Sequence, residues 1–304
     1  MAKILISLLM FAGVMMAKPI IAVSIPMQKE FVEKIAKGEY EVIALVKPGT
    51  NPHDFEPKFS DIKSVNKAKA YFSIGIEFED QWLKRFANQN KTMKIYPSNA
   101  GIEVINFGDD DHEDDAHKHK AHKHDEHEDD HDHDEEDSHH SHENGDTHIW
   151  LSPSNAKIIA ANIYKGLKEI NPKGDYQSNY EALIGDIEKL DKNIKETLRG
   201  LPKHQKFVVF HPMLGYFARD YGLEEISIEV EGKTPKIKDM MEVVEIIKKE
   251  HLKIIFAQPE FSTKAAEFIA KESGAELGYF SPLEIPWDKN LLDFAKKLKE
   301  LYKK

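Results

Sequence analysis

Pro19-Ile-Ile-Ala-Val-Ser-Ile25, a helical pattern over 27–37 and a second apolar run over 40–46 together decide the fold. Two short apolar runs on either side of a helix-length segment read as strand, helix, strand, the unit of a parallel sheet. The alternation continues outward. Further strand candidates are 70–74 and 93–96 in the first half, then 206–210, 225–228, 253–257 and a weaker one at 277–280. Helical periodicity falls between them at 58–67, 79–88, 237–250 and 263–273. The class expected is α/β, with two groups of four parallel strands.

Two further helices join those groups. Ser152-Pro153 supplies an N-cap and a proline suited to the first helical position, after which Ile159, Ile163, Leu167 and Ile170 trace one face. A longer run follows over 175–199, where Tyr180, Leu183, Ile184, Ile187, Leu190, Ile194 and Leu198 recur every three to four residues. At 1.5 Å per residue it should reach roughly 35–40 Å, enough to run along both lobes. Gly200 ends it, and Pro202 prevents continuation. The organisation expected is a signal peptide over 1–17, an amino-terminal lobe over 18–172, a linking helix over 173–200 and a carboxy-terminal lobe over 201–304.

Charge is concentrated in one place. Residues 109–146 hold 18 acidic residues and three lysines, a net of −15 against −11 for the whole chain, so the rest carries +4. With no dense basic stripe, nucleic acid is not an expected partner. The chain has no cysteine, which removes disulfides, thiolate metal sites and the cysteine needed for a lipid anchor. Lys3, the apolar run 4–16 and the small residue Ala17 read as an export signal cleaved before Lys18. No other segment approaches the ~20 apolar residues of a membrane span. The expected product is soluble and exported.

Histidine and carboxylate remain as metal ligands. Three histidines sit where loops leave strands or enter helices: His53 in Asn51-Pro-His-Asp-Phe-Glu-Pro57, His148 in Asp146-Thr-His-Ile-Trp-Leu-Ser-Pro153, and His211 in Val208-Val-Phe-His-Pro212. Three imidazoles converging on one point suit zinc, nickel or copper. His204 and His251 lack such context and read as surface residues. Asp54 and Asp146 are candidates to orient the imidazoles or to cap turns, and Trp150 reads as packing. Between the first two histidines lie His112, His117, His119, His122, His124, His127, His131, His133, His139, His140 and His142. That tract is too polar to offset its ordering entropy by burial. Its histidine content points to metal collection of moderate affinity rather than to a plain acidic linker.

All three motifs resemble those of the solute-binding component of bacterial zinc ABC importers, the ZnuA-like family. Asn51–Pro57 is similar to that family's first-ligand turn, His148–Pro153 to its second, and Phe210-His211-Pro212 with Gly215-Tyr-Phe217 to its third. The resemblance runs through the whole mature chain, including the long helix and the His-rich insertion. It implies two Rossmann-like lobes with parallel sheets joined by a rigid helix, with zinc held between them by His53, His148 and His211. It further implies a periplasmic, non-enzymatic carrier, a monomer, delivering Zn2+ to an ABC permease at the inner membrane. Three histidines favour borderline zinc over hard manganese. This chain departs from the pattern at a possible fourth ligand. Ser281 stands where many relatives carry a late aspartate, and Pro52 where some carry a glutamate. Water is the expected fourth ligand, with Glu260 as a weaker candidate.

Two other functions are compatible with such residues. One is an exported zinc hydrolase or hydratase, since three histidines plus water is also a catalytic set. The sequence has no His-Glu-x-x-His, Gly-x-Ser-x-Gly or P-loop to support it. The other is a metal buffer or adhesin acting through the His-rich tract alone.

Overall fold

The computed structural model describes residues 17–106, 145–229 and 235–302. The first sheet is built from β1 (Ile20–Val23), β2 (Glu41–Ala44), β3 (Ala68–Ser73) and β4 (Lys94–Pro97), in the order β2-β1-β3-β4, all parallel. Its crossovers are α1 (Pro26–Ala36), α2 (Phe59–Val65) and α3 (Phe78–Gln89). The second sheet repeats the plan with β5 (Gln205–Val209), β6 (Leu223–Ser227), β7 (Ile254–Ala257) and β8 (Glu276–Tyr279), ordered β6-β5-β7-β8. Here α6 (Gly215–Tyr221), α7 (Ile237–Lys249) and α8 (Lys264–Ser273) are the crossovers. Among the described residues, the eight strands fall within two residues of the ranges read from sequence. The two-lobe α/β expectation holds.

Local chemistry explains the element ends. At α1, Pro26 opens the helix, and the Gln28 carbonyl accepts the backbone N–H groups of Ser24 and Ile25 at 3.0 and 3.2 Å. The same amide donates to Phe72 O and Ser98 Oγ, tying β1, β3 and the end of β4 together. A 3-10 turn at Ile149–Leu151 leads into α4 (Pro153–Ile170), where Ser152 Oγ accepts from Asn155 N at 3.1 Å. Helix α4 lies so close to the first sheet that a Cβ at Gly166 would stand 2.5 Å from the Phe72 ring. Only glycine fits there without displacing that ring.

The linking helix α5 spans Gln177–Leu198, 22 residues and about 33 Å, a little shorter than the reading from sequence. It packs on α1 and α4 of the first half and on α9 (Trp287–Leu301) of the second. That last helix carried a periodic pattern, with Trp287, Leu291, Phe294, Ala295 and Leu298 now buried, but it is absent from the segments read above. It does more than close the chain. Trp150 Nε1 donates to Pro282 O and Trp287 Nε1 donates to Trp150 O, both at 2.8 Å, and Trp287 N donates to Glu30 Oε2. The indoles thus lock the two halves by reciprocal bonds, and one apolar core runs from Ile21 to Leu298. A second, smaller cluster lies under α7 and α8, around Val208, Val244, Ile255 and Ile269.

The export-signal segment up to residue 16 and the eleven histidines from His112 to His142 lie outside the described residues. Among the described residues, no helix is long and apolar enough to cross a membrane.

Candidate metal centre

In parallel α/β sheets the loops leaving the carboxyl ends of strands line the ligand crevice. Every candidate residue here comes from such a loop. His53 follows β2, held by an Asx turn in which Asn51 Oδ1 accepts His53 N at 3.0 Å while Asn51 Nδ2 donates to Asp54. His148 follows β4, and its backbone N donates to Asp146 Oδ1 at 2.9 Å. His211 follows β5, clamped by Gln258, which accepts from His211 N at 3.1 Å and donates to His211 O at 2.8 Å. Phe261 stacks on its ring at 4.9 Å.

The three rings meet. One nitrogen from each lies within 4.8 Å of the others, with His148 and His211 buried and His53 half-buried. His53 Nε2 and His211 Nε2 are 3.0 Å apart. A tetrahedral ion with bonds of about 2.0–2.1 Å separates its ligand atoms by roughly 3.3 Å, so the spacing is near that of a shared ion. His148 Nε2 is buried with no hydrogen-bond partner among the described residues. A buried orphan acceptor is costly unless something fills it.

Behind each ring stands a carboxylate. His53 Nδ1 is 3.0 Å from Glu77 Oε1, His148 Nδ1 is 2.9 Å from Asp146 Oδ1, and His211 Nδ1 is 2.6 Å from Glu229 Oε2. This is the arrangement that fixes an imidazole's tautomer and leaves Nε2 free to bind. Burial opposes ionisation of Glu77, but its contact with His53 and that ring's charge outweigh it and hold the carboxyl at about 2. For Glu229, burial wins against the charge of His53 and pushes the group up to about 7. A cation on the His211 ring would favour the ionised form.

Glu77 and Glu229 were not singled out from sequence. Both sit at the carboxyl end of a strand, the position that marks a crevice in this fold class. Asp146, read as the end of the acidic tract, is a buried part of the centre. Its N donates to Ile105 O at 2.8 Å, and its carbonyl accepts from Tyr216 Oη at 2.7 Å. Gly145 before it has φ +72, and a Cβ there would stand 2.7 Å from Ile105 O. Asp54 is exposed. Trp150 is buried, as read. Ser281 Oγ donates to Glu260 Oε1, pairing the two fourth-ligand candidates with each other; neither belongs to the three-histidine group. His204 and His251 are exposed and occupy left-handed turns, at φ 57 and 53, ahead of β5 and β7.

The family description "Zinc-uptake complex component A periplasmic" matches residues 21–303. The zinc-binding protein AdcA of Streptococcus pyogenes serotype M3 is 31% identical over 262 residues, covering 84% of this chain and 48% of the relative. The chain thus spans about half the length of the streptococcal proteins it matches. The high-affinity zinc uptake system protein ZnuA of Bacillus subtilis is 28% identical over 262 residues, with 84% and 75% covered. A crystal structure of a ZnuA deletion mutant with zinc bound superposes with a TM-score of 0.78 at 33% identity, covering 94% of this chain and 99% of that one. Given the match along residues 21–303, the chain belongs to the periplasmic zinc-uptake complex component A family.

Proposed function

We propose that this protein captures Zn2+ outside the cytoplasm and hands it to an ABC permease, acting as a carrier rather than an enzyme. The observation behind this reading is the set of three converging imidazoles, each backed by a carboxylate. His53 and His148 come from the first half and His211 from the second, so a bound ion bridges them. Glu77, Asp146 and Glu229 surround the imidazoles with negative charge, which suits a divalent cation. Three neutral nitrogens select borderline zinc over manganese. Glu260 stays with Ser281, leaving the fourth position to water. The names of the relatives, zinc-binding or zinc-uptake proteins, support the same cargo.

An open fourth position would also allow hydrolysis, but general base chemistry needs an additional group poised over the metal-bound water. The three carboxylates nearest the rings all face Nδ1 and serve as orienting partners. Export by a cleaved signal, the absence of a lipid anchor, a monomeric state and metal collection by the His-rich tract belong to the same proposal. Calorimetric titration of the purified chain with zinc and manganese tests it. One tight zinc site per chain, with weaker additional binding that disappears when residues 109–143 are deleted, is the expected result. A tight site lost with that deletion in folded protein would place the primary ligands in the tract.

A further inference from the structure

The two most exposed large apolar side chains among those described are Phe59, at 82%, and Ile237, at 72%. They occupy the same place in the two halves. Each is the first residue of the second crossover helix of its sheet, α2 between β2 and β3, and α7 between β6 and β7. Each follows an exposed lysine, Lys58 or Lys236. Each helix start is pinned identically, with the lysine backbone N donating at 2.9 Å to an aspartate three residues on, Asp61 or Asp239. A single exposed apolar residue needs no explanation. A large apolar residue at each of two equivalent positions, with the same cap and the same neighbouring charge, does.

Phe59 and Ile237 contribute little to folding, because most of each residue stays in water. Both lie on the edge of the sheets that carries the metal centre, since helices that follow strands begin at the strands' carboxyl ends. The loop that holds His53 leads into α2, and the connection that begins at Glu229 leads into α7. Met241, 38% exposed and one turn after Ile237, widens the second apolar spot.

We propose that Phe59 with Lys58 and Ile237 with Lys236 form a two-point docking surface for the membrane permease. The duplicated geometry fits a partner that presents two equivalent apolar sockets, as a pair of like subunits does. The adjacent ammonium groups call for acidic rims around those sockets. A partner seated on both points spans the mouth of the crevice from which the ion must leave. This inference rests on the delivery role proposed above.

The test uses cells lacking their own copy of this protein and supplied with the full chain or its variants, with uptake of radioactive zinc measured under chelation. The wild-type chain and Tyr279→Ser, which alters a side chain 59% exposed on β8, should restore uptake. Phe59→Ser/Ile237→Ser should lower it by at least about tenfold, the scale of losing two interface anchors. Its zinc titration and melting curve should match those of wild type. Lys58→Glu/Lys236→Glu should impair uptake in the same way. Wild-type uptake by the double serine variant would overturn the docking surface while leaving the delivery role intact. Loss of zinc binding in that variant would overturn it as well, by placing these residues in the metal centre. If the wild-type chain itself restores nothing, the delivery role fails, and the surface fails with it.

Discussion

The two halves share one topology, β2-β1-β3-β4 against β6-β5-β7-β8, yet they contribute unequally to the centre. The first supplies two imidazoles and two carboxylates, His53 with Glu77 and His148 with Asp146. The second supplies one pair, His211 with Glu229, and Gln258 and Phe261 to steady the ring. Their packing differs too. The first half shares its core with α4, α5 and α9, whereas part of the second packs as a separate cluster under α7 and α8. A duplicated scaffold thus fixes where loops converge and leaves each loop to decide what it brings. The hydrogen bonds of Trp150 and Trp287 hold the halves in register.

The largest effect expected from this asymmetry is on affinity. Replacing His53, His148 or His211 by alanine should weaken zinc binding by more than about 100-fold, exceeding what loss of an orienting carboxylate does. His204→Ala and His251→Ala should leave it within about twofold, since both side chains lie exposed away from the group. Calorimetry on the five variants distinguishes them, and equal losses in all five would erase the distinction between site and surface histidines.

Next in size are the carboxylates. Glu77→Gln, Asp146→Asn and Glu229→Gln should each cost roughly 10–100-fold in zinc affinity. If only the first-half pair matters, the second half merely covers the ion.

The lock between the halves is a stability matter. Trp287→Ala removes a buried ring and strands the Trp150 carbonyl, so thermal unfolding should show a loss of about 3–5 kcal/mol. A smaller loss is expected from Gly166→Ala, about 1–3 kcal/mol from overpacking against Phe72.

The last expected effect is a pair of opposed pH slopes, one in the stability of the metal-free protein and one in the stabilisation that zinc adds. Burial raises Glu79 to about 7 and Glu225 to about 8, each from 4.5. A carboxyl raised on folding keeps its proton in the native chain after the unfolded chain has lost it. Its contribution is therefore full below about 4.5 and declines as pH rises through 7–8, on the order of 3 kcal/mol for Glu79. The metal-free protein should melt higher at pH 5 than at pH 8. Zinc's added stabilisation should grow over that interval, because protonated imidazole cannot ligate. Glu79→Gln should flatten the first slope and leave the second unchanged.

Much of this was legible in the chain. Apolar runs such as 20–25 and 253–257 announced buried parallel strands because both faces of such sheets are covered. The three histidines that the structure brings together were marked in the chain by their flanks. What escaped had physical reasons. Glu77 and Glu229 look like ordinary surface charges until the fold buries them beside imidazoles that lie 24 and 18 residues away in the chain. Asp146 was singled out beside Asp54 with both roles open, and only the fold, through backbone bonds to Ile105 and Tyr216, shows it set apart from the acidic run and against His148. The role of α9 depends on a tryptophan–carbonyl exchange across 137 residues, which no local pattern encodes.

In the proposed carrier, histidines from both halves hold one ion. X-ray absorption at the zinc edge, on protein lacking residues 109–143 and loaded with one equivalent, tests it most directly. The expected result is scattering from three imidazoles at about 2.0–2.1 Å and one oxygen ligand. His211→Ala should remove one imidazole shell and the tight binding together. Two imidazoles in the parent protein, unchanged by His211→Ala, would contradict it.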